Sequence, residues 1–324
     1  MAKTKPMPGR LILETHGSAL IARLDGGPQG LMGLNMADEL AALVDKVEAD
    51  ASVRAVILTG THAGRFIGHA DVRWLQEGGK SIPKVGRNAA SAIARIAKTT
   101  RGLPPLAAAA SITPLEGGMQ LDKLHDTFLR MNRSGVLFIA ALNGSALGLG
   151  WELAQACDVR LMADGDFFIG HPEVLLGILP GGGGSQRMTR LLGAHRALMM
   201  MLEGRPVPPA RALEIGLVDE VVPAESLLER ALDTAEYLGA RSRDSVAAIK
   251  RAVYLGGSMT LDEGLHLERT EFIKIAPTAT AQSLMVGYLD RTEREGDLPL
   301  YAPAIYDQAL AEGRFPLKDD GGRP

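Results

Sequence analysis

Asn143-Gly144-Ser145-Ala146-Leu147-Gly148-Leu149-Gly150-Trp151-Glu152-Leu153-Ala154 is the stretch around which the chain is organised. An apolar run at 136–142 leads into it and reads as a buried strand. A turn holding three glycines follows. Trp151, Leu153, Ala154, Ala156 and Cys157 then predict the first turns of a buried helix beginning near 148–150. The first amide N–H groups of a helix have no partner inside it, and they favour negative charge. One carboxylate, Glu152, lies just inside this terminus. Such an arrangement can hold a developing oxyanion and set an acid or base beside it.

Composition narrows the setting. A chain of 324 residues can bury a large core in one domain or two. It is 46% hydrophobic and 23% charged, which fits a soluble globular protein. A net charge of −3 and a pI of 6.2 argue against non-specific nucleic-acid binding. The single cysteine, Cys157, excludes an intrachain disulfide framework and suits a reducing compartment. Within its apolar helix it reads as buried and inert. No apolar run has membrane-spanning length, and residues 1–10 lack the apolar core of a signal peptide. The expectation is a cytoplasmic α/β or α+β protein with no membrane span.

Outward from the central stretch, residues 11–24 alternate around His16-Gly17-Ser18 and predict two antiparallel strands. Asn35 is the expected cap of a helix reaching about 49. Residues 53–58 predict a strand, and 61–72 a loop. Residues 78–135 are the least regular. Two amphipathic helices packed on the body are expected there, with a mobile lid or partner-binding hairpin as the other reading. C-terminal to the centre, strands are predicted at 159–162 and near 167–170. Helices follow at about 195–203, 226–239, 244–254, 261–275 and 279–291. Residues 292–324 are polar and rich in proline and glycine, and predict a tail that is disordered or wrapped over a neighbour. Strands alternating with helices favour a layered α/β core.

Six features are candidates for chemistry. Gly181 to Gly184 lack both the P-loop pattern and G-x-G-x-x-G after a strand, so a turn that lets the backbone approach a ligand is the better reading. The seven histidines show no metal-ligand spacing and read as surface or turn residues. Asp158 is expected to make local hydrogen bonds, and Lys250 with Arg251 to form a solvated face. Glu152 and Glu173 are carboxylates in apolar surroundings, and acids are seldom buried without partners. Two readings stay open for them: general acid/base work with a raised pKa, or structural salt bridging and capping.

Three segments together resemble the crotonase superfamily of enoyl-CoA hydratases and isomerases. These are 53–71, 141–173 and 180–187, within a likeness covering most of 11–291. The most specific part is Asn143-Gly144-x-Ala146-Leu147-Gly148-x-Gly150-x-Glu152-Leu153-Ala154 with Cys157-Asp158. Pro172-Glu173, Leu176-Gly177-Ile178 and Pro180-Gly181-Gly182-Gly183-Gly184-Ser185-Gln186-Arg187 follow in order. The resemblance implies a crotonase-like spiral of ββα turns with a C-terminal helical trimerisation module, as a homotrimer or dimer of trimers. On that basis residues 1–240 form the core, with an inserted, mostly helical segment at about 76–135. Residues 241–291 form the helical module, and 292–324 an extended tail.

The implied substrate is an acyl-CoA thioester, with no metal and no cofactor, coenzyme A being part of the substrate. The backbone N–H groups of Ala70 and Leu149 would form the oxyanion hole. His69 and Leu149 each stand where the family has glycine, and a backbone N–H survives either change. Glu152 would act mainly on the water, and Glu173 mainly on the C2 proton. His69, Asp71, Gly148 and Gly181 would contact substrate. Retention of both glutamates favours an enoyl-CoA hydratase of fatty-acid metabolism. An enoyl-CoA isomerase or acyl-CoA hydrolase of the same fold, and a catalytically silent crotonase-like binding protein, are the alternatives.

Overall fold

Gly17 turns the chain between two strands, Arg10–His16 (β1) and Ala19–Asp25 (β2), which pair antiparallel as the alternation predicts. The computed structural model describes residues 9–315, apart from 83, 111, 112 and 114 and the side chains of Ser81 and Pro104. Helix α1 (Leu34–Ala49) buries Met36, Leu40, Leu43, Val44 and Val47 along one stripe. Its N-cap is Gly33, so Asn35, the expected cap, lies inside the helix. Strand β3 (Ala55–Gly60) follows, then the short β4 (Arg65–Ile67) inside the predicted loop.

Helix α2 (Val72–Ser81) comes next, and the described residues of 78–135 then form three further helices rather than two: α3 (Arg87–Arg101), α4 (Pro104–Ala110) and α5 (Leu115–Arg133). Pro104 and Pro105 look like helix breakers but stand in the first turn of α4, where the missing N–H costs nothing. Helix α5 docks through buried Leu124, Phe128 and Met131. Each such side chain contributes about 1.5–3 kcal/mol on burial.

The central stretch then forms β5 (Leu137–Leu142), β6 (Ser145–Leu147) and α6 (Leu149–Ala156). Strands β7 (Val159–Ala163) and β8 (Ile169–Gly170) repeat the pattern. Helices α7 (Gly184–Leu192), α8 (Ala194–Glu203) and α9 (Pro209–Glu214) lead to β9 (Glu220–Val222) and α10 (Leu227–Gly239). The chain closes with α11 (Arg243–Tyr254), α12 (Leu261–Ile275), α13 (Ala279–Glu295) and α14 (Pro303–Glu312).

The strands form two sheets. The larger has the order β1-β2-β3-β5-β7-β9 and is parallel beyond its first pair. The smaller, β4-β6-β8, is parallel throughout. Three turns of the spiral, β3 with β4, β5 with β6 and β7 with β8, each give one strand to each sheet before a helix, which is the expected crotonase-like architecture. Strands β3 and β5 are buried at every residue, hence their unbroken apolar sequence. Val56, Leu58, Phe138 and Leu142 face the main core with α1, α5 and α6. Ile57, Ile139 and Ala141 face a second core closed by Leu227, Ala231 and Ala235 of α10.

Two sequence expectations are corrected here. Lys250 is not on a solvated face. It is buried, and its Nζ donates to Asp158 Oδ2 (2.7 Å) and Val136 O (2.8 Å). Asp158 therefore bonds far beyond its own neighbourhood, also accepting from Phe138 N and the Tyr254 hydroxyl. The described part of the tail, residues 292–315, is neither disordered nor extended. Helix α13 runs on to Glu295, and α14 returns the chain so that the Phe315 ring packs edge-on against Tyr288 at 5.1 Å. Pro303 in the first turn of α14 and Gly313 at its end are helix punctuation, not signs of coil. No described helix is long and apolar enough to cross a membrane.

Candidate active site

The start of α6 opens into a cavity of about 360 Å³. Val72, Trp74 and Leu75 of α2 and Leu121 and Leu124 of α5 wall one side, and apolar residues of 175–179 wall another. Of the helices between β4 and β5, α2 and α5 are thus packed on the body as a cavity wall. Of the sequence-predicted residues, His69, Ala70, Gly148, Leu149, Glu152, Glu173 and Gly181 line this space. Asp71 does not. It is buried as the N-cap of α2, accepting from Arg73 N (2.9 Å) and pairing with the Arg73 guanidinium, which holds its carboxyl below the usual range.

Local backbone explains why two amides are available. Ala70 bridges Met32 in parallel fashion, a pairing made by the neighbours: Met32 N donates to His69 O and Asp71 N to Met32 O. The Ala70 N–H points the other way. Leu149 is the first residue of α6, so its N–H has no acceptor within the helix. Neither amide donates a backbone hydrogen bond among the described residues. No described non-glycine residue has positive φ, so His69 and Leu149 replace glycine without strain. Gly148 does need its glycine, at φ +50°. His69 itself donates from Nδ1 to Ala70 O at 2.7 Å.

Glu152 is 1% exposed. Its Oε1 accepts from Gly182 N and Gly184 N, both at 2.7 Å. The oligoglycine stretch therefore grips a carboxylate, which its reading as a ligand-approaching turn did not specify. A Cβ on Gly182 would lie 2.9 Å from Glu152 Oε2 and 2.8 Å from Leu149 Cδ1, so only glycine leaves that oxygen room. Burial raises the Glu152 pKa, against the pull of the two amides and of His171, and the neighbouring Glu173 adds to the rise.

Glu173 opens a short 3-10 helix and is buried. Its Oε1 lies 3.4 Å from His171 Nδ1, and its Oε2, also buried, has no protein partner. His171 is a correction to the surface reading of the histidines. It is buried, with Nε2 3.2 Å from Gln155 Oε1, and so braces Glu173 from behind. Glycine at 184 makes room for its ring, since a Cβ there would meet His171 Cε1 at 2.4 Å.

His125 and Arg187 are further side chains at the site that sequence reasoning missed. His125 of α5 contacts Gly181 O at 2.6 Å. Arg187 donates to Gly182 O (3.1 Å) and to Asn132 Oδ1 (3.2 Å). The Ser-Gln-Arg after the glycines was a signal for Arg187; nothing local marked His125. Cys157 is buried, and burial pushes its thiol pKa up, as befits an inert residue. Among the described residues no three His, Cys, Asp or Glu side chains converge as a metal-holding group.

Comparison with known proteins finds relatives across most of the chain. The family model for enoyl-CoA hydratase/isomerase matches residues 115–295. A probable enoyl-CoA hydratase of Rhizobium meliloti is 31% identical over 287 residues, covering 88% of this chain and 96% of that protein. The fatty acid oxidation complex subunit alpha of Shewanella amazonensis is 31% identical over 221 residues, 68% of this chain, but the match spans only 27% of that longer protein. A solved enoyl-CoA hydratase from Geobacillus kaustophilus superposes with a TM-score of 0.71 at 27% identity, covering 89% of this chain and 96% of that one.

Proposed function

Because the chain belongs to the enoyl-CoA hydratase/isomerase family of the crotonase superfamily, we propose that it is an enoyl-CoA hydratase. It adds water reversibly to a 2-enoyl-CoA thioester and yields the 3-hydroxyacyl-CoA. One observation carries this reading: two buried carboxylates, Glu152 and Glu173, line one apolar cavity with the unengaged amides of Ala70 and Leu149.

The chemistry follows from that juxtaposition. The thioester oxygen accepts from the Ala70 and Leu149 N–H groups, and negative charge moves onto it as C3 is attacked. One such donor is worth about 2.7–4 kcal/mol in the transition state. Glu152 Oε1 is occupied by two amides, which leaves Oε2 to take a proton from water as its oxygen bonds to C3. Glu173, entering as the acid with its proton on the Oε2 that no protein group engages, delivers that proton to C2 as the enolate collapses; the proton taken by Glu152 then returns to Glu173 through solvent and restores both carboxyl groups. The apolar walls take the acyl chain and exclude bulk water. Coenzyme A is part of the substrate, and the scheme uses no cofactor.

A panel of 2-enoyl-CoA thioesters from short to long acyl chains, with products weighed by mass spectrometry, tests the proposal. The expected product has gained the mass of one water. An isomer of unchanged mass, or released coenzyme A, would refute it.

Assembly as a homotrimer or dimer of trimers is part of the same proposal. Phe272 and Ile273 on α12 and Met285, Val286 and Leu289 on α13 are exposed in the single chain, an apolar surface of the kind subunits cover. Light scattering should give a mass three or six times 34.4 kDa; a monomer at micromolar concentration contradicts it.

A further inference from the structure

Four amide N–H groups serve the site in this reading: those of Ala70 and Leu149, residues that line the cavity, and those of Gly182 and Gly184, which donate to Glu152 Oε1. A peptide plane is rigid, so the aim of each N–H is set by whatever holds the C=O at the other end of its peptide. For Ala70 that carbonyl is His69 O, bound by Met32 N (3.0 Å). For Leu149 it is Gly148 O, bound by Glu152 N (2.9 Å). For Gly184 it is Gly183 O, bound by Gln186 N and Arg187 N. All three are anchored by backbone. The fourth is different. The peptide carrying the Gly182 N–H has Gly181 O at its other end, and the partner of that oxygen is the imidazole of His125, at 2.6 Å.

The flanking residues make this anchor matter. Gly181 and Gly182 both lack a Cβ, so little steric resistance opposes rotation of the plane between them. A carbonyl only accepts, so His125 Nε2 carries the proton and donates. His125 is not among the cavity-lining residues, and nothing places it against substrate. It sits on α5, which grips the same loop a second time through Asn132, Arg187 and Gly182 O. We propose that His125 is a positioning residue: by holding the Gly181–Gly182 peptide it aims the Gly182 N–H at Glu152 and so fixes the carboxylate for catalysis. Helix α5 thereby contributes to catalytic geometry as well as to the cavity wall. The proposal rests on the reading of Glu152 as the base.

Methionine and glutamine are close in length, but only glutamine can donate to Gly181 O. His125→Met is expected to lower kcat about tenfold or more, as a displaced catalytic group does. KM and the melting temperature should stay at wild-type values, and His125→Gln should restore most of kcat. A purely structural role would lower thermal stability and would not distinguish the two variants in kcat. If kcat of His125→Met stays within about twofold of wild type, or if His125→Gln falls as far as His125→Met, the proposal is overturned. Should His125→Met not fold, His125→Leu against His125→Gln makes the same comparison. Glu152→Gln is assayed alongside. Its full activity would overturn the base assignment itself, whereas its inactivity beside an active His125→Met removes only the positioning role.

Discussion

Replacing Glu152 with glutamine is expected to lower kcat by about 10²–10⁴-fold, the usual worth of a positioned general base. The substitution is nearly isosteric, and the amide oxygen can still accept from Gly182 N and Gly184 N, so the local fold should persist. What disappears is the oxygen that takes the water proton. KM should change little, because in the proposed scheme the thioester oxygen is held by Ala70 and Leu149, which the substitution leaves in place. Glu173→Gln should give a loss of similar order by removing delivery to C2. The acid limb of kcat/KM carries the signature of Glu152. A base works ionised, and burial raises the pKa of this carboxyl. Activity should therefore fall as pH drops through a value above the usual carboxylate range, and the residual activity of Glu152→Gln should lack that limb. Wild-type turnover in both variants, measured with the best substrate of the thioester panel, would remove the two glutamates from the mechanism.

The largest expected effect on stability is at Lys250. Its side chain pairs with Asp158 at 2.7 Å, and both are buried. Burial pushes the Lys250 ammonium pKa down and the Asp158 carboxyl pKa up, while each partner opposes the other's shift. Lys250→Met would leave a buried carboxylate without its counter-charge, and breaking such a pair typically costs about 3–5 kcal/mol. Adding Asp158→Asn removes the stranded charge yet keeps an acceptor for Phe138 N, and should recover part of the loss. Urea unfolding of the two single variants and the double variant measures this. A single-variant loss below about 1 kcal/mol, the worth of an exposed pair, would show that the bridge does not hold α11 against the central strands.

Neither His125 nor Lys250 was legible as a partner in the sequence, although the fold around them was. An apolar run at 136–142 specifies a strand buried on both faces because it offers no polar face to water. The step from that strand through Gly148 into α6 was legible because positive φ and a tight helix start demand glycine. Glu152 and Glu173 were legible as carboxylates out of place in apolar context. Helix α4 and the described tail were misread for a local reason: proline and glycine mark helix starts and stops as readily as they mark coil. His171 and Lys250 were misread for a non-local one, since their polarity predicts exposure unless a distant partner is known.

By itself, then, the sequence determined the alternation of strands and helices in the core, the glycine-lined entrance to α6 and the two carboxylates, all features set within a few residues by backbone sterics and hydrophobic pattern. The tertiary structure alone decided which polar groups meet. Gly182 and Gly184 reach Glu152 across 30 and 32 residues, His125 reaches Gly181 across 56, and Lys250 reaches Asp158 across 92. Such pairings depend on how whole elements pack, because a buried polar atom is satisfied only by the neighbour that packing brings to it.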